Sequence, residues 1–149
     1  MKFDKFTIKA QEAVQESQGL AESRRQQQIM AIHLLEALLT QAQGVIVPLL
    51  KKLGINTNEI FEKTRASIDR LPQVSGSGAH GQAYVSAELR DIFNLAWEEA
   101  GKLKDEYVST EHLLLALVGL KSASAYEILS DAGVTKENVY IALKEIRGS

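Results

Sequence analysis

Residues 76–81 read Gly-Ser-Gly-Ala-His-Gly, a literal G-x-G-x-x-G. In a dinucleotide site those glycines let the backbone close on a pyrophosphate at a helix N-terminus. Gly76 and Gly81 also bracket the G-x-x-x-x-G of an ATP loop, but Gln82-Ala83 stand where that loop needs Lys and Ser/Thr. The dinucleotide motif in turn requires a preceding strand, and Leu71-Pro72 and the sequence around them carry no period-two run. A free-standing enzyme built on this loop is therefore set aside, and residues 71–84 read as a flexible Gly/Ser linker. Two further groups invite chemistry. His33 and His112 stand beside leucines without a second His, Cys or carboxylate at ligand spacing in both places, so a structural or surface role is expected and no metal. Asp105 and Glu111 are the acidic candidates, and Glu111 falls in the first turn of an expected helix, where a carboxylate complements the positive end.

The elements that must hold these residues come in two copies. IHLLEALL at 32–39 is answered by EHLLLALV at 111–118, and one ungapped offset of 79 pairs Ala21 with Ala100, His33 with His112, Leu50 with Leu129 and Gly54 with Gly133. Such clustering in one block points to duplication. Each copy reads as four helices. Thr7 or Ser86 caps the first. Leu89, Ile92, Phe93, Ala96, Ala100 and Leu103 form one apolar stripe in the second copy, matched by Ala10, Ala13, Val14 and Ser17 in the first. Ser109 or Thr110 caps the second helix of the later copy, whereas Met30 and Ala31 leave its counterpart poorly capped. Pro48 suits a first turn, and Gly54 and Gly133 suit left-handed positions after the third helices. Asn56 and Thr135 open the fourth. The fold class expected is all-α: two tandem four-helix repeats, residues 1–70 and 85–149, joined by the linker 71–84.

Composition agrees with one soluble domain. The 149 residues carry 45% hydrophobic and 24% charged side chains and no cysteine, which excludes a disulfide framework or thiolate metal site. Net charge is −2, divided between a first half with ten basic and eight acidic residues and a second half (85–149) with seven and eleven. That balance argues against a nucleic-acid surface. The longest apolar runs are too short to cross a bilayer, no secretory signal is evident, and a cytoplasmic, monomeric domain is expected.

The KFTIKAQEAV opening, the duplicated HLL block with STEHLLLAL, and LLKKLGIN followed by RLPQVSGSG resemble the N-terminal domain of Clp AAA+ ATPases, most of all the ClpB-type disaggregase, over essentially the whole chain. The resemblance implies a pseudo-twofold double Clp N-domain on a longer parent with two ATPase modules, which would bind ATP and Mg and form a hexameric ring. This chain has no G-x-x-x-x-G-K-[ST], so it should take no cofactor and hydrolyse nothing itself. The implied function is recognition of apolar segments in unfolded or aggregated polypeptides, with delivery to the ring and a co-chaperone as a further partner. The alternative is an adaptor- or phosphoarginine-binding domain of the ClpC/ClpA type; Ile32 stands where Glu111 stands in the other copy, so two equivalent phosphoarginine pockets are not expected. The resemblance places Thr7, Asp105 and Glu111 in a polar substrate cluster and Leu95 on an apolar groove, with Glu99 replacing the next groove leucine. Phe93, His112 and Leu113 complete the candidate contact set.

Overall fold

The computed structural model describes residues 3–75 and 81–148. A single 3-10 turn (Phe3–Lys5) leads into α1 (Ile8–Ser23), β1 (Gln28–Ile29), α2 (Ala31–Thr40), α3 (Ile46–Lys52) and α4 (Thr57–Asp69). Then come β2 (Tyr84–Val85), α5 (Ala87–Lys102), α6 (Thr110–Gly119), α7 (Tyr126–Asp131) and α8 (Lys136–Arg147). The offset of 79 holds in space: α1 and α5, and α2 and α6, begin and end at matching positions. The chain is all-α apart from two-residue strands, and the expected caps form. Thr7, Ser86, Ser109, Asn56 and Thr135 each accept the N–H three residues on. Gly54 and Gly133 adopt φ of 76° and 92°, where only glycine is free of Cβ strain.

The strands were not expected, because two residues are too few to show a period. They are exchanged between the repeats. β1 of the first pairs in parallel with β2, which opens the second, and Phe6 makes the reciprocal bridge to Val108. Thus Thr7 N–H donates to the Val108 carbonyl at 2.9 Å, and Ser86 N–H to that of Ile29 at 3.2 Å. The helices follow suit: α3 packs on α8 and α4 on α7, so the third helix of each repeat lies against the fourth of the other. The outcome is one apolar core that runs through both halves. α2 and α6, buried along most of their length, lie against each other within it.

Two described residues of the linker are tied to the first repeat. Val74 N–H donates to the Arg25 carbonyl at 2.8 Å, and Ala83 N–H to Glu22 Oε2 at 3.0 Å. Gly76, Gly78 and His80 lie outside the described residues.

The histidines explain how a helix without a capping side chain can start. Met30 offers no acceptor, but its backbone N–H donates to His33 Nδ1 at 2.8 Å, and Ser109 N–H donates to His112 Nδ1 at the same distance. With Nδ1 accepting, the ring proton sits on Nε2 and is directed at the turn after the repeat's first helix. It meets Gln26 Oε1 at 2.7 Å in one repeat and Asp105 Oδ2 at 2.8 Å in the other. Those turns need a left-handed residue, and both use non-glycines, Arg25 (φ 56°) and Lys104 (φ 61°). Each clasp then reaches its fourth helix. Gln26 Nε2 donates to the Ile68 carbonyl at 2.8 Å, while Arg147 donates to both oxygens of Asp105 at 3.0 and 3.3 Å. One imidazole therefore ties three helices of its repeat. Because neither ring nitrogen is free, neither histidine can serve as a metal ligand as placed.

Burial holds the His33 imidazole down, with Arg24 adding repulsion, so its pKa falls from 6.5 to about 4. The unfolded chain then binds the proton first on acidification. Stability from this group is complete above pH 6.5 and is lost as pH falls towards 4. At Asp105, desolvation would raise the carboxyl, but the bonds from Arg147 and His112 outweigh it and hold the group below its usual 3.8. Its contribution is therefore lost only at lower pH still.

Two outcomes follow. Urea unfolding between pH 6.5 and 5 should show a loss of about 1 kcal/mol assigned to His33, absent in His33→Asn; an equal decline in that variant contradicts the clasp. Asp105→Asn, which copies the neutral amide of repeat one and loses only a half-exposed ion pair, should cost under about 1 kcal/mol. Asp105→Ala, which orphans a buried Nε2–H, should cost about 1–3 kcal/mol by the same measurement.

Candidate functional site

Two helix N-termini meet at the seam between the repeats. Thr7 caps α1 through Ala10 N–H at 3.1 Å, and its backbone bond to Val108 sets α1 beside the start of α6. The loop between α2 and α3 closes the third side. Gln41 Nε2 donates to the Lys9 carbonyl at 2.9 Å, and Lys9 Nζ to that of Ala42 at 2.7 Å. Gln43 turns the chain with φ of 58°. Together these segments bound an open groove of about 450 Å³, lined by Thr7, Ile8, Val45, Thr110 and Glu111 among others.

The groove has exposed aliphatic walls. Ile8 is 75% exposed and Val45 47%; the other strongly exposed large aliphatics, Ile141 and Ile146, lie away from the groove on α8. Exposed aliphatic walls next to a few polar groups are the usual mark of a binding surface. Two charged residues line it, Lys9 and Glu111, and the Glu111 side chain, half-buried, accepts from Thr110 Oγ1 at 3.0 Å. Thr7 and Glu111 therefore come together here, from different repeats.

The other candidate residues are placed differently. Asp105 does not line the groove. It holds His112, which holds the Ser109 N–H at the start of α6, so it touches the groove only through the helix start that borders it. His112 is only 1% exposed and Leu113 is fully buried, because they occupy the inner face of α6; neither offers a surface to a partner. Phe93 is likewise interior, in edge-to-face contact with Phe3 at 5.3 Å and Phe6 at 5.8 Å. Leu95 is half-buried and rests against the core outside the groove lining.

Glu99 also has another role. It is 2% exposed and accepts from Tyr140 Oη, with Lys136 Nζ at 3.1 Å. Desolvation would raise its carboxyl, but Tyr140 and the lysines Lys136 and Lys102 keep it below the usual value, and burial and Glu99 push the Tyr140 hydroxyl up to about 12. This is a buried tie between α5 and α8, not a lost groove leucine. Sequence reasoning missed Ile8 and Val45. The signal available was weak: two aliphatics just outside helical stripes, one directly after a cap and one directly after a glycine.

No cluster of three or more His, Asp or Glu side chains arranged for a metal occurs among the described residues, and no described helix is long and apolar enough to cross a membrane.

The sequence matches the Clp repeat (R) N-terminal domain over residues 5–132. It is 39% identical over 147 residues to the chaperone protein ClpB of Bacteroides thetaiotaomicron, covering 99% of this chain and 16% of that protein. Against ClpB of Vibrio cholerae it is 38% identical over 148 residues, covering 99% and 17%. The chain thus spans about a sixth of the length of these relatives. Among solved structures, the Hsp104 N-terminal domain from Candida albicans superposes with a TM-score of 0.80 at 23% identity, covering 97% of this chain and 92% of that one. A complex of the ClpV N-domain with a VipB peptide gives 0.76 at 16% identity, covering 97% and 88%. With the cap pattern, the duplicated helices and the sequence match in agreement, this chain belongs to the Clp repeat N-terminal domain family, of the kind found in ClpB chaperones.

Proposed function

We propose that this chain is the substrate-recognition domain of a ClpB-type disaggregase. It binds exposed apolar segments of unfolded or aggregated polypeptides and passes them to the ATPase ring of a hexameric parent. The observation that carries this reading is the groove at the seam, where Ile8 and Val45 stand exposed between the capped ends of α1 and α6. A shallow aliphatic surface binds many sequences weakly, which suits a recogniser of misfolded chains. Glu111 at the rim biases that preference towards segments with basic or amide-bearing neighbours. Thr7 serves chiefly by fixing the start of α1, with its hydroxyl committed to Ala10 N–H. The family likeness supports the same reading, since a relative of this fold has been solved with a peptide.

Titration of the chain with reduced, carboxymethylated α-lactalbumin tests the assignment. Ile8→Asp and Val45→Asp should each weaken binding about tenfold or more, the equivalent of about 1.4 kcal/mol, a modest part of what one buried aliphatic side chain supplies. Glu111→Ala should weaken binding less and reduce its sensitivity to salt. Leu95→Asp, outside the groove, should leave affinity within about twofold if the fold is kept. Full affinity in Ile8→Asp and Val45→Asp, with folding intact, sinks the groove as the site.

A further inference from the structure

The repeat relation carries each groove residue to a counterpart, and the two sets differ. Ile8, Lys9, Val45, Thr110 and Glu111 correspond to Ala87, Glu88, Ser124, Ala31 and Ile32. At the counterpart position Glu88 folds back over the start of α2. Its Oε2 accepts from Ala31 N–H at 2.7 Å and from Ser124 Oγ at 2.7 Å, while its Oε1 accepts from Ser124 N–H at 3.0 Å. One carboxylate thereby satisfies the first N–H of α2 and a backbone N–H just ahead of α7, where the positive end of the helix favours an anion.

In the open groove the corresponding side chain is Lys9. A cation has no acceptor to offer, and it turns instead to the Ala42 carbonyl at 2.7 Å. Among the described residues, neither the Thr110 N–H nor the Val45 N–H has a protein acceptor. The apolar walls change in the same sense. Ile8 and Val45 become Ala87 and Ser124, so the second position lacks the aliphatic walls of the first.

We propose that Glu88 is a built-in occupant of the second groove, so that the domain offers one polypeptide-binding groove per chain despite its duplicated fold. The proposal rests on the reading of the first groove as a binding site for apolar segments, and deepens it by fixing its valence. Glu88 holds the place a client's hydrogen-bond acceptor would take, and the residues around it have lost the surface that would hold a client's side chains.

Two measurements test this. The first needs no ligand. Amide exchange at Ala31 and Ser124 should be slow in the wild-type chain and at least about tenfold faster in Glu88→Ala, with the exchange of core amides such as Leu34 unchanged; equal rates at Ala31 and Ser124 overturn the closure. The second uses a short peptide of leucine, alanine and lysine, followed by NMR and calorimetry. In the wild-type chain one peptide should bind, shifting Thr7, Val45 and Thr110 but not Ala31, Ser86 or Ser124. The combined variant Ala87→Ile, Glu88→Lys, Ser124→Val should bind a second and shift the latter set. Two peptides on the wild type, or one on a folded variant, overturn the proposal. A wild-type chain in which the peptide shifts neither set removes the functional reading instead, and Glu88 is then judged on exchange alone.

Discussion

The first helix of each repeat begins from a backbone N–H that donates to the other repeat, Thr7 to Val108 and Ser86 to Ile29. A helix start needs both a capping side chain and an entering chain held at a fixed angle. Thr7 and Ser86 provide the cap themselves, but the angle is set across the seam. The exchanged packing of third against fourth helices repeats the arrangement at the far end of each unit. Neither half can bury its apolar faces alone, so the core is shared, and the groove lies where the two halves join because that is where two helix starts are brought side by side.

Much of this was legible locally. Thr7, Ser86, Ser109, Asn56 and Thr135 announce helix starts by residue type, and Gly54 and Gly133 announce chain reversals by the conformation only glycine takes freely. The repeat itself was visible because α2 and α6 are buried on nearly all sides and so retain His-Leu-Leu. The strands escaped notice, since two residues cannot alternate. So did the role of the histidines, because a ring that caps its own helix needs a partner seven residues back, in a turn formed by the left-handed Arg25 or Lys104. Thr7 and Glu111 could be named from the family pattern, but Ile8 and Val45 could not: exposure of a lone aliphatic depends on which neighbours fold away from it. Phe93, His112 and Leu113 belong to the candidate set by sequence, whereas helical geometry turns them inward.

The halves keep the same scaffold positions and change the chemistry at them. An amide and a carboxylate, Gln26 and Asp105, do the same work for two histidines. Buried acids fall at unrelated positions: Glu36 with Arg24 and Arg65 in one half, Glu99 with Tyr140 and Lys136 in the other, each replaced by leucine in the opposite copy. An unpaired buried charge is costly, so each acid brought partners with it. These ties distinguish the halves, and each joins a fourth helix to its own repeat.

The exchanged packing has a consequence for assembly. Every contact between α3 and α8, or α4 and α7, is one that two separate chains could make by trading halves, which is the usual route to a domain-swapped dimer. Within one chain the trade is opposed by proximity: Val74 is held to Arg25 in the turn after α1 and Ala83 to Glu22 in the last turn of α1, which keeps the second half at a high effective concentration beside the first. Shortening the span from Val74 to Ala83 below the reach it must cover takes the advantage away and leaves intermolecular exchange as the way to complete the core.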